Sequence, residues 1–328
     1  METVAGSQLA QILDVSESKV KYDAAARKLV AQKAILSYIL KSTMDEFAVV
    51  PVKEIAEKWI TGAPQVSETP VHQDAPAGRL NGSAPVGEMA TEDVSIQEGT
   101  VRYDIRFPVH VPGEDEPIEI IVNIEIQNKD MPGYPIPKRG IYYGARLLSA
   151  QRGTVFKNQE YGRIKKVVSI WICENTALSR SDAINEYRFL EKCRRGTYRE
   201  EEKNYDLMRV IVMRLGSDGE NSEDDAVRLL SKMFSTERSA QEKKAALSEE
   251  FHINVTEEIS QEVSFMCNLS TGILEKGIEK GIEKGMEKGK MKTLFGLVKE
   301  GLITISAAAK HADMEPSEFE KEYRDYLK

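Results

Sequence analysis

Two stretches near the middle of the chain decide the fold: VRYDIRF at residues 101–107 and IIVNIEIQN at residues 120–128. Both alternate polar and apolar residues with the period of two that is typical of β-strands. The first stretch predicts an apolar face and a charged face, namely Tyr103, Ile105 and Phe107 against Arg102, Asp104 and Arg106. The second predicts the same division, with Val122, Ile124 and Ile126 against Asn123, Glu125 and Gln127.

The segment between the two strands, PVHVPGEDEP at residues 108–117, contains the proline and glycine of a hairpin connection. A symmetric hairpin with its tip at residues 113–115 sets Asp104 opposite Glu125, because the two lie at nearly equal distances from that tip. Two like charges that face each other across a strand pair destabilise it. A divalent cation would offset the repulsion, and Mg²⁺ is commonly held by one or two carboxylates together with water and phosphate.

The same spacing has an interpretation without a metal. Arg102 and Arg106 are predicted to share the face of Asp104, and interleaved arginines and acids are typical of a solvated, salt-bridged surface. The spacing alone leaves both interpretations open.

Several elements follow one another in a recognisable order: EGTVRYDIRF, NIEIQ, PGYPIPKRGIYYGARLLSAQ and KKVVSIWI. In this order they resemble the PD-(D/E)XK nuclease-family transposases, also called recombination-promoting nucleases or putative transposases of mobile elements. The resemblance covers residues 20–217 and extends to the Glu-Lys-Gly repeats near the C-terminus. It implies an α/β fold with a restriction-endonuclease-like core, which is a mixed central sheet flanked by helices, and a C-terminal helical extension.

The resemblance also implies roles for individual residues. Asp104 matches the first acidic metal ligand, Glu125 the second and Gln127 the third position of the E-x-K element, with the backbone carbonyl of Ile126 as a further ligand. Gln127 departs from the usual lysine and cannot supply an ammonium group. An opening helix of the resembled fold can lend another acid to the metal, for which Glu46 is the candidate; the alternative is a surface acid at a helix end.

The segment PIPKRGIYYGARLLSAQ, residues 135–151, predicts a helix with Arg139, Tyr143 and Arg146 on one face at i, i+4 and i+7. Guanidinium groups bind phosphate bidentately, so a basic stripe beside an acidic metal site would suit the DNA backbone. A solvated helix face with a half-buried tyrosine is equally compatible with this spacing.

Other segments complete an α/β core. KKVVSIWI and LMRVIVMRL predict central strands that are buried on both faces, and residues 178–204 between them predict a polar helical stretch. Before the hairpin, residues 19–43 and 51–60 predict helices. Residues 62–97 contain proline, glycine, alanine and serine throughout without an aromatic residue, which predicts a flexible insertion.

Composition restricts the classes of function. The formal net charge is −8, which argues against a chain that coats nucleic acid indiscriminately and leaves room only for local basic patches. Three cysteines, Cys173, Cys193 and Cys267, are too few and too scattered for a disulfide framework or a zinc site. No signal-peptide core or membrane-length apolar run is evident, so we expect a protein of the reducing cytoplasm, without membrane contact.

The C-terminal third has a different character. Residues 256–299 predict a long helix that contains EKGIEKGIEKGMEKGK, in which the recurrent glycines weaken the isolated helix. Ile278, Ile282 and Met286 form an apolar stripe that could bury against a partner helix, so residues 258–300 predict a homo-oligomer.

Two short helices at residues 301–328 favour a structural cap over a helix-turn-helix. The predicted divisions are therefore 20–217, 218–257, 258–300 and 301–328.

Together these features predict an endonuclease that uses Mg²⁺, with Mn²⁺ as a possible substitute, to hydrolyse DNA at Asp104, Glu125 and Gln127. The alternative, from another class, is a catalytically weak nuclease-derived protein that binds DNA as a scaffold and associates through its C-terminal helix. Position 127 is the feature that discriminates between them.

Overall fold

A mixed six-stranded sheet forms the centre of the fold. The computed structural model describes residues 17–67, 92–95, 99–112, 118–216 and 219–327, with no side-chain description at 92–95, 99–100, 102, 271–284 and 287. The strands are β1 (Gln65–Val66), β2 (Glu92–Ser95), β3 (Gly99–Arg102), β4 (Ile105–Val111), β5 (Ile118–Lys129), β6 (Val167–Asn175), β7 (Ala183–Arg188) and β8 (Met208–Arg214). The main sheet has the order β1-β4-β5-β6-β8-β7, and β2 pairs with β3 in a separate ribbon.

Strand directions follow from the connections between the strands. β4 and β5 form the antiparallel hairpin that the sequence predicts, while β5, β6 and β8 run parallel to one another. β1 and β7 close the two ends of the sheet as antiparallel strands. β6 and β8 are buried along nearly their whole length because helices cover both faces. The fold is therefore α/β with a mixed central sheet, as predicted.

The helices are α1 (described from residue 17 to residue 30), α2 (Lys33–Thr43), α3 (Val52–Glu54, continued by a π-helix at Ile55–Trp59), α4 (Ile136–Ser149), α5 (Asp225–Phe234), α6 (Ala240–Ala245), α7 (Glu257–Lys299), α8 (Ile305–His311) and α9 (Pro316–Tyr326). The larger core lies on one face of the sheet, where side chains of α1, α2 and α5 pack on residues such as Ile105 and Ile124. A smaller core lies on the other face, beneath α4.

Helix α4 packs unusually closely on the sheet because glycine faces it. A Cβ at Gly140 would lie 2.5 Å from Cγ1 of Val210 and 2.9 Å from Nε1 of Trp171. At Gly144 it would lie 2.7 Å from the sulfur of Met208. This close approach seats α4 on β6 and β8, where its buried residues contribute to the smaller core.

The chain divides into two units within α7. One unit is Ser16–Leu269, and the other comprises Met1–Val15 and Ser270–Lys328. The first turns of α7 belong to the former, because Ile259, Val263 and Met266 are buried in its larger core. In the other unit, the end of α7 packs with α8 and α9 around Leu294, Phe295, Ala308, Ala309 and Phe319. The predicted boundaries at residues 217 and 257 do not coincide with this division.

Three local predictions are corrected by the structure. The predicted helix at 19–43 is two helices, because Gln32 takes an extended conformation between them. The stretch at 178–204 contains strand β7 and an exposed segment with a single 3₁₀ turn at Glu202–Asn204, rather than a helix. VRYDIRF is not one strand: the chain changes partner at Tyr103, whose ring lies in the smaller core while Ile105 lies in the larger one.

Most of the predicted insertion at 62–97 lies outside the described residues. Its described ends form β1, which pairs with β4, and β2, which pairs with β3. Among the described residues, none of the helices combines the length and the apolar character needed to cross a bilayer.

Candidate functional site

Asp104 and Glu125 lie side by side at the start of β4. The register pairs Ile105 with Ile124 and Arg106 with Asn123, so one further step brings Asp104 opposite Glu125. This is the placement that the symmetric hairpin predicts, although the tip itself, residues 113–117, lies outside the described residues.

Both acids are buried. Asp104 is 3% exposed and Glu125 is fully buried, because Tyr143 of α4 and Trp171 of β6 occupy the smaller core on this face. The interpretation of this face as a solvated, salt-bridged surface is therefore wrong. Carboxylates are rarely buried completely without a compensating partner.

The two carboxylates are bound in a reciprocal arrangement. The backbone N–H of Asp104 donates to Oε1 of Glu125 at 3.2 Å, and the N–H of Ile126 donates to Oδ2 of Asp104 at 2.9 Å. Nδ2 of Asn123 donates to the same Oε1 at 3.4 Å. Oε2 of Glu125, in contrast, is buried and has no hydrogen-bond partner among the described residues. A cation or a proton at this oxygen would remove a considerable desolvation cost.

Arg27 of α1 brings a positive charge to the pair. Its Nη1 lies 3.4 Å from Oδ1 of Asp104, across 77 residues of sequence, and its side chain is almost entirely buried. Nε and Nη2 of Arg27 have no hydrogen-bond partner among the described residues. The guanidinium therefore neutralises Asp104 without being fully satisfied itself.

Burial raises the pKa of both carboxyl groups, and that of Glu125 rises well above its ordinary value. The charge of Asp104 adds to the effect of burial on the pKa of Glu125. The guanidinium of Arg27 and the N–H of Ile126 oppose the rise at Asp104. Because the pair binds a proton readily, a metal ion would bind in competition with protons.

In the predicted DNA stripe on α4, Arg139 acts electrostatically on the two acids. Its charge lowers the pKa of both carboxyl groups against the effect of burial, and it donates to the hydroxyl of Tyr143 at 2.6 Å and to that of Tyr134. Tyr143 is fully buried and Arg146 is 5% exposed. The three residues share a face, as predicted, but it is turned toward the sheet rather than toward solvent.

Gln127 and Ile126 follow Glu125 along β5. Gln127 pairs in register with Cys173 of β6 and is half-buried, and its side chain makes no hydrogen bond with the described residues. Ile126 lies opposite Ile172 in the parallel ladder. Gln127 is thus on the same face as Glu125 and free to turn toward a ligand.

Glu46 lies elsewhere, so its assignment to the acidic site is wrong. Its carboxylate pairs with Nζ of Lys166 at 3.1 Å and with Nη1 of Arg209 at 3.5 Å. Lys166 immediately precedes β6, and Val167 is in register with Ile121, four residues before Glu125. Glu46 therefore belongs to an ion-pair network at the opposite end of these strands.

The acid that α1 does bring toward the site is Asp23, one turn before Arg27. Partial desolvation raises the pKa of Asp23, and Arg27 opposes this effect while Asp104 adds to it. The spacing of residues assigned no role in the site to Asp23 or Arg27, and it placed Asn123 on the face of Glu125 without a role. The i, i+4 spacing of Asp23 and Arg27 predicts that the two share a face of α1, but it does not predict that this face meets Asp104.

Across the described residues, no three histidine, cysteine, aspartate or glutamate side chains form a group that could hold a metal ion. A metal at this site would depend on two carboxylates, backbone oxygen and water. No family model matches this sequence, no curated protein matches it, and no solved structure matches it.

Proposed function

We propose that this protein is a metal-dependent DNA endonuclease with a restriction-endonuclease-like core, of the PD-(D/E)XK type, acting for a mobile element. The observation that carries the proposal is the buried pair of Asp104 and Glu125, in which Oε2 of Glu125 has no hydrogen-bond partner among the described residues. Two buried acids side by side are unfavourable for folding, which supports a role in binding a cation.

The residues present fit Mg²⁺, or Mn²⁺ in its place. Asp104 and Glu125 would hold the ion, and the carbonyl of Ile126 would add a third oxygen. One or two carboxylates are usual for Mg²⁺, which retains several waters and takes further oxygens from phosphate. When bound, the ion supplies charge stabilisation at the phosphoryl oxygen and a water of lowered pKa.

The protein groups around the acids have separate tasks in hydrolysis. The amide of Gln127 orients the attacking water, since its side chain is otherwise without a partner. The guanidinium of Arg139, which already acts on the acids electrostatically, offsets the negative charge that develops on the phosphate. Tyr143 and Trp171 exclude water from the inner side of the pair.

The topology supports the restriction-endonuclease-like assignment. Glu125 and Gln127 lie near the carboxyl end of β5, which pairs in parallel with β6, and β6 in turn pairs in parallel with β8. Open α/β sheets bind their ligands beside the carboxyl ends of parallel strands.

One observation favours a second candidate, a catalytically inactive DNA-binding protein that self-associates through residues 258–300. Arg27 already provides a counter-charge 3.4 Å from Asp104, and Gln127 replaces the usual lysine. A site that is neutralised by its own arginine does not require a metal to fold.

Nicking of supercoiled plasmid by the purified full chain, in Mg²⁺ or Mn²⁺ against chelator, tests the proposal. Asp104→Asn and Glu125→Gln preserve the size of each side chain, so the fold survives. We expect each to slow metal-dependent nicking by on the order of a hundredfold or more, as when one electrostatic contact of an active site is removed.

The matched control is Glu119→Gln, which makes the same change at the other end of β5, where Glu119 pairs with Lys165 at 2.6 Å. It should nick at the wild-type rate.

Calorimetric titration with Mn²⁺ gives a second readout, in which binding is lost in Glu125→Gln. A wild-type protein that binds Mn²⁺ at this site without ever nicking DNA would instead favour the inactive candidate.

A further inference from the structure

An exposed arm leaves the sheet at the end of β7 and returns to it in β8. We call residues 187–199, YRFLEKCRRGTYR, the basic arm. β7 is the last strand of the sheet, and among the described residues it pairs only with β8, so its other edge is open. Every residue of the arm is exposed except Cys193, which is half-buried.

The arm exposes large apolar side chains. Phe189 is 56% exposed, Leu190 71% and Tyr198 73%, and Tyr187 at its base is 37% exposed. Grouped exposure of aromatic and aliphatic side chains is unfavourable in water and is typical of a surface that binds a partner.

The arm is also strongly basic within an acidic chain. Its five cationic side chains, Arg188, Lys192, Arg194, Arg195 and Arg199, stand against a single glutamate, Glu191, whereas the whole chain has a net charge of −8. Such a contrast indicates a local site for a polyanion.

Ion pairs hold the base of the arm and leave its tip uncompensated. Arg188 lies 3.6 Å from Glu202, and Arg199 lies 4.0 Å from Glu191. Lys192, Arg194 and Arg195 at the tip form no ion pair among the described residues. The tip thus presents three cations with aromatic rings on either side of them in sequence.

We propose that the basic arm binds an unpaired DNA strand. Free cations attract phosphates, and exposed rings stack on bases that a duplex keeps stacked internally. Duplex DNA would use the charges but not the rings. Pairing of two arms from separate copies of the chain is disfavoured, because each carries an excess of positive charge.

The arm leaves the sheet at the end of the strands opposite to the acids, so this inference goes beyond the proposed cleavage site and describes a separate DNA-binding surface. Arg188 of β7 is in register with Arg209 of β8. Arg209 is in register with Val168 of β6, and Val168 with Val122 of β5. Arg188 is therefore three strands across from Glu125 and three residues nearer the start of β5, roughly 17 Å between backbones.

Fluorescence anisotropy with labelled oligothymidylate, in chelator so that nothing is cut, tests the inference on the full chain. We expect tighter binding to this single strand than to a duplex of equal length. Arg194→Ser with Arg195→Ser should weaken single-strand binding at least tenfold and reduce the slope of log affinity against log salt by about 1.4. Phe189→Ala should weaken it about fivefold or more, whereas Phe189→Tyr, which retains a ring, should bind as the wild type does.

The matched control is Lys310→Ser with Lys321→Ser, which removes two exposed cations from the other unit and should leave binding unchanged. Equal affinity for duplex and single strand, an equal loss in this control, or arm-dependent binding to phosphatidylglycerol vesicles in place of DNA would each overturn the inference. Asp104→Asn should bind oligothymidylate normally. If the wild-type protein binds oligothymidylate through its arm but never nicks plasmid, only the proposed function is refuted. If it nicks plasmid but binds oligothymidylate independently of the arm, only the inference about the arm is refuted.

Discussion

Asp104 and Glu125 each accept a hydrogen bond from the backbone beside the other, at 2.9 Å from the N–H of Ile126 and at 3.2 Å from the N–H of Asp104. The strand pairing therefore holds both carboxylates in place before any ligand binds. This preorganisation comes from the backbone, which explains how two acids can be retained in a buried position despite their mutual repulsion.

The stability of the protein should depend on pH through Glu125. Because burial and the charge of Asp104 raise the pKa of Glu125 in the folded state, the folded protein binds more protons than the unfolded chain above about pH 4.3. Stability contributed by this group is therefore complete at low pH and is lost as the pH rises through the folded pKa. Urea unfolding at a series of pH values should give a flatter profile for Glu125→Gln. Parallel profiles would contradict the assignment.

Arg27 should act as a built-in counter-charge that a metal can replace. Arg27→Met leaves Asp104 buried without its cation, which costs about 3 kcal/mol when the carboxyl group is ionised and less at low pH. Mg²⁺ should recover more of the melting temperature in this variant than in the wild type. Lys28→Met, at the exposed neighbouring position, is the control and should melt like the wild type. A melting temperature of Arg27→Met that is independent of both pH and Mg²⁺ would exclude this role.

Replacement of Gln127 by lysine should leave nicking unchanged or raise it. An ammonium group stabilises negative charge on the phosphate better than an amide does. The comparison is Asn128→Lys, which adds the same charge at the exposed next position and should have no effect. A loss as large as that of Glu125→Gln would show that the amide itself is required.

Helix α4 should not tolerate a methyl group at Gly140. A Cβ there would lie 2.5 Å from Val210, and overpacking of this kind costs about 1–3 kcal/mol. Gly296→Ala in α7 is the opposite case, because nothing lies within 4 Å of its Cβ position, so it should stabilise by up to about 1 kcal/mol. Chemical unfolding measures both, and equal effects would contradict the close packing.

The place at which α7 is cut should decide whether the first unit survives. A chain that ends after Leu269 retains Ile259, Val263 and Met266 in its core and should unfold cooperatively. Ending the chain at Thr256 removes these buried side chains and should cost several kcal/mol.

If the proposed self-association uses residues 258–300, sedimentation should show a larger species for the full chain than for the chain ending after Leu269. In the proposed stripe the side chains of Ile278 and Ile282 lie outside the described residues, while Met286 is 71% exposed.

Local pattern was sufficient for the parts of the fold that depend on near neighbours in the chain. The period-two alternation and the symmetric spacing predicted the register of β4 and β5, and with it the pairing of Asp104 with Glu125. Continuous apolar runs predicted β6 and β8, and the long helix was predicted to within a residue at each end. These features depend on patterns that repeat over a few residues. The register of a hairpin requires one further quantity, the position of its turn.

Tertiary structure alone decided the environment of the site. A strand with one polar face has the same sequence pattern whether water or protein covers that face, so the burial of Asp104 and Glu125 could not be predicted from alternation. The contact of Arg27 with Asp104 joins residues 77 positions apart, and Glu46 pairs with Lys166 across 120 positions. Contacts at such separations are set by how whole elements pack, which the spacing of residues within any one element does not specify.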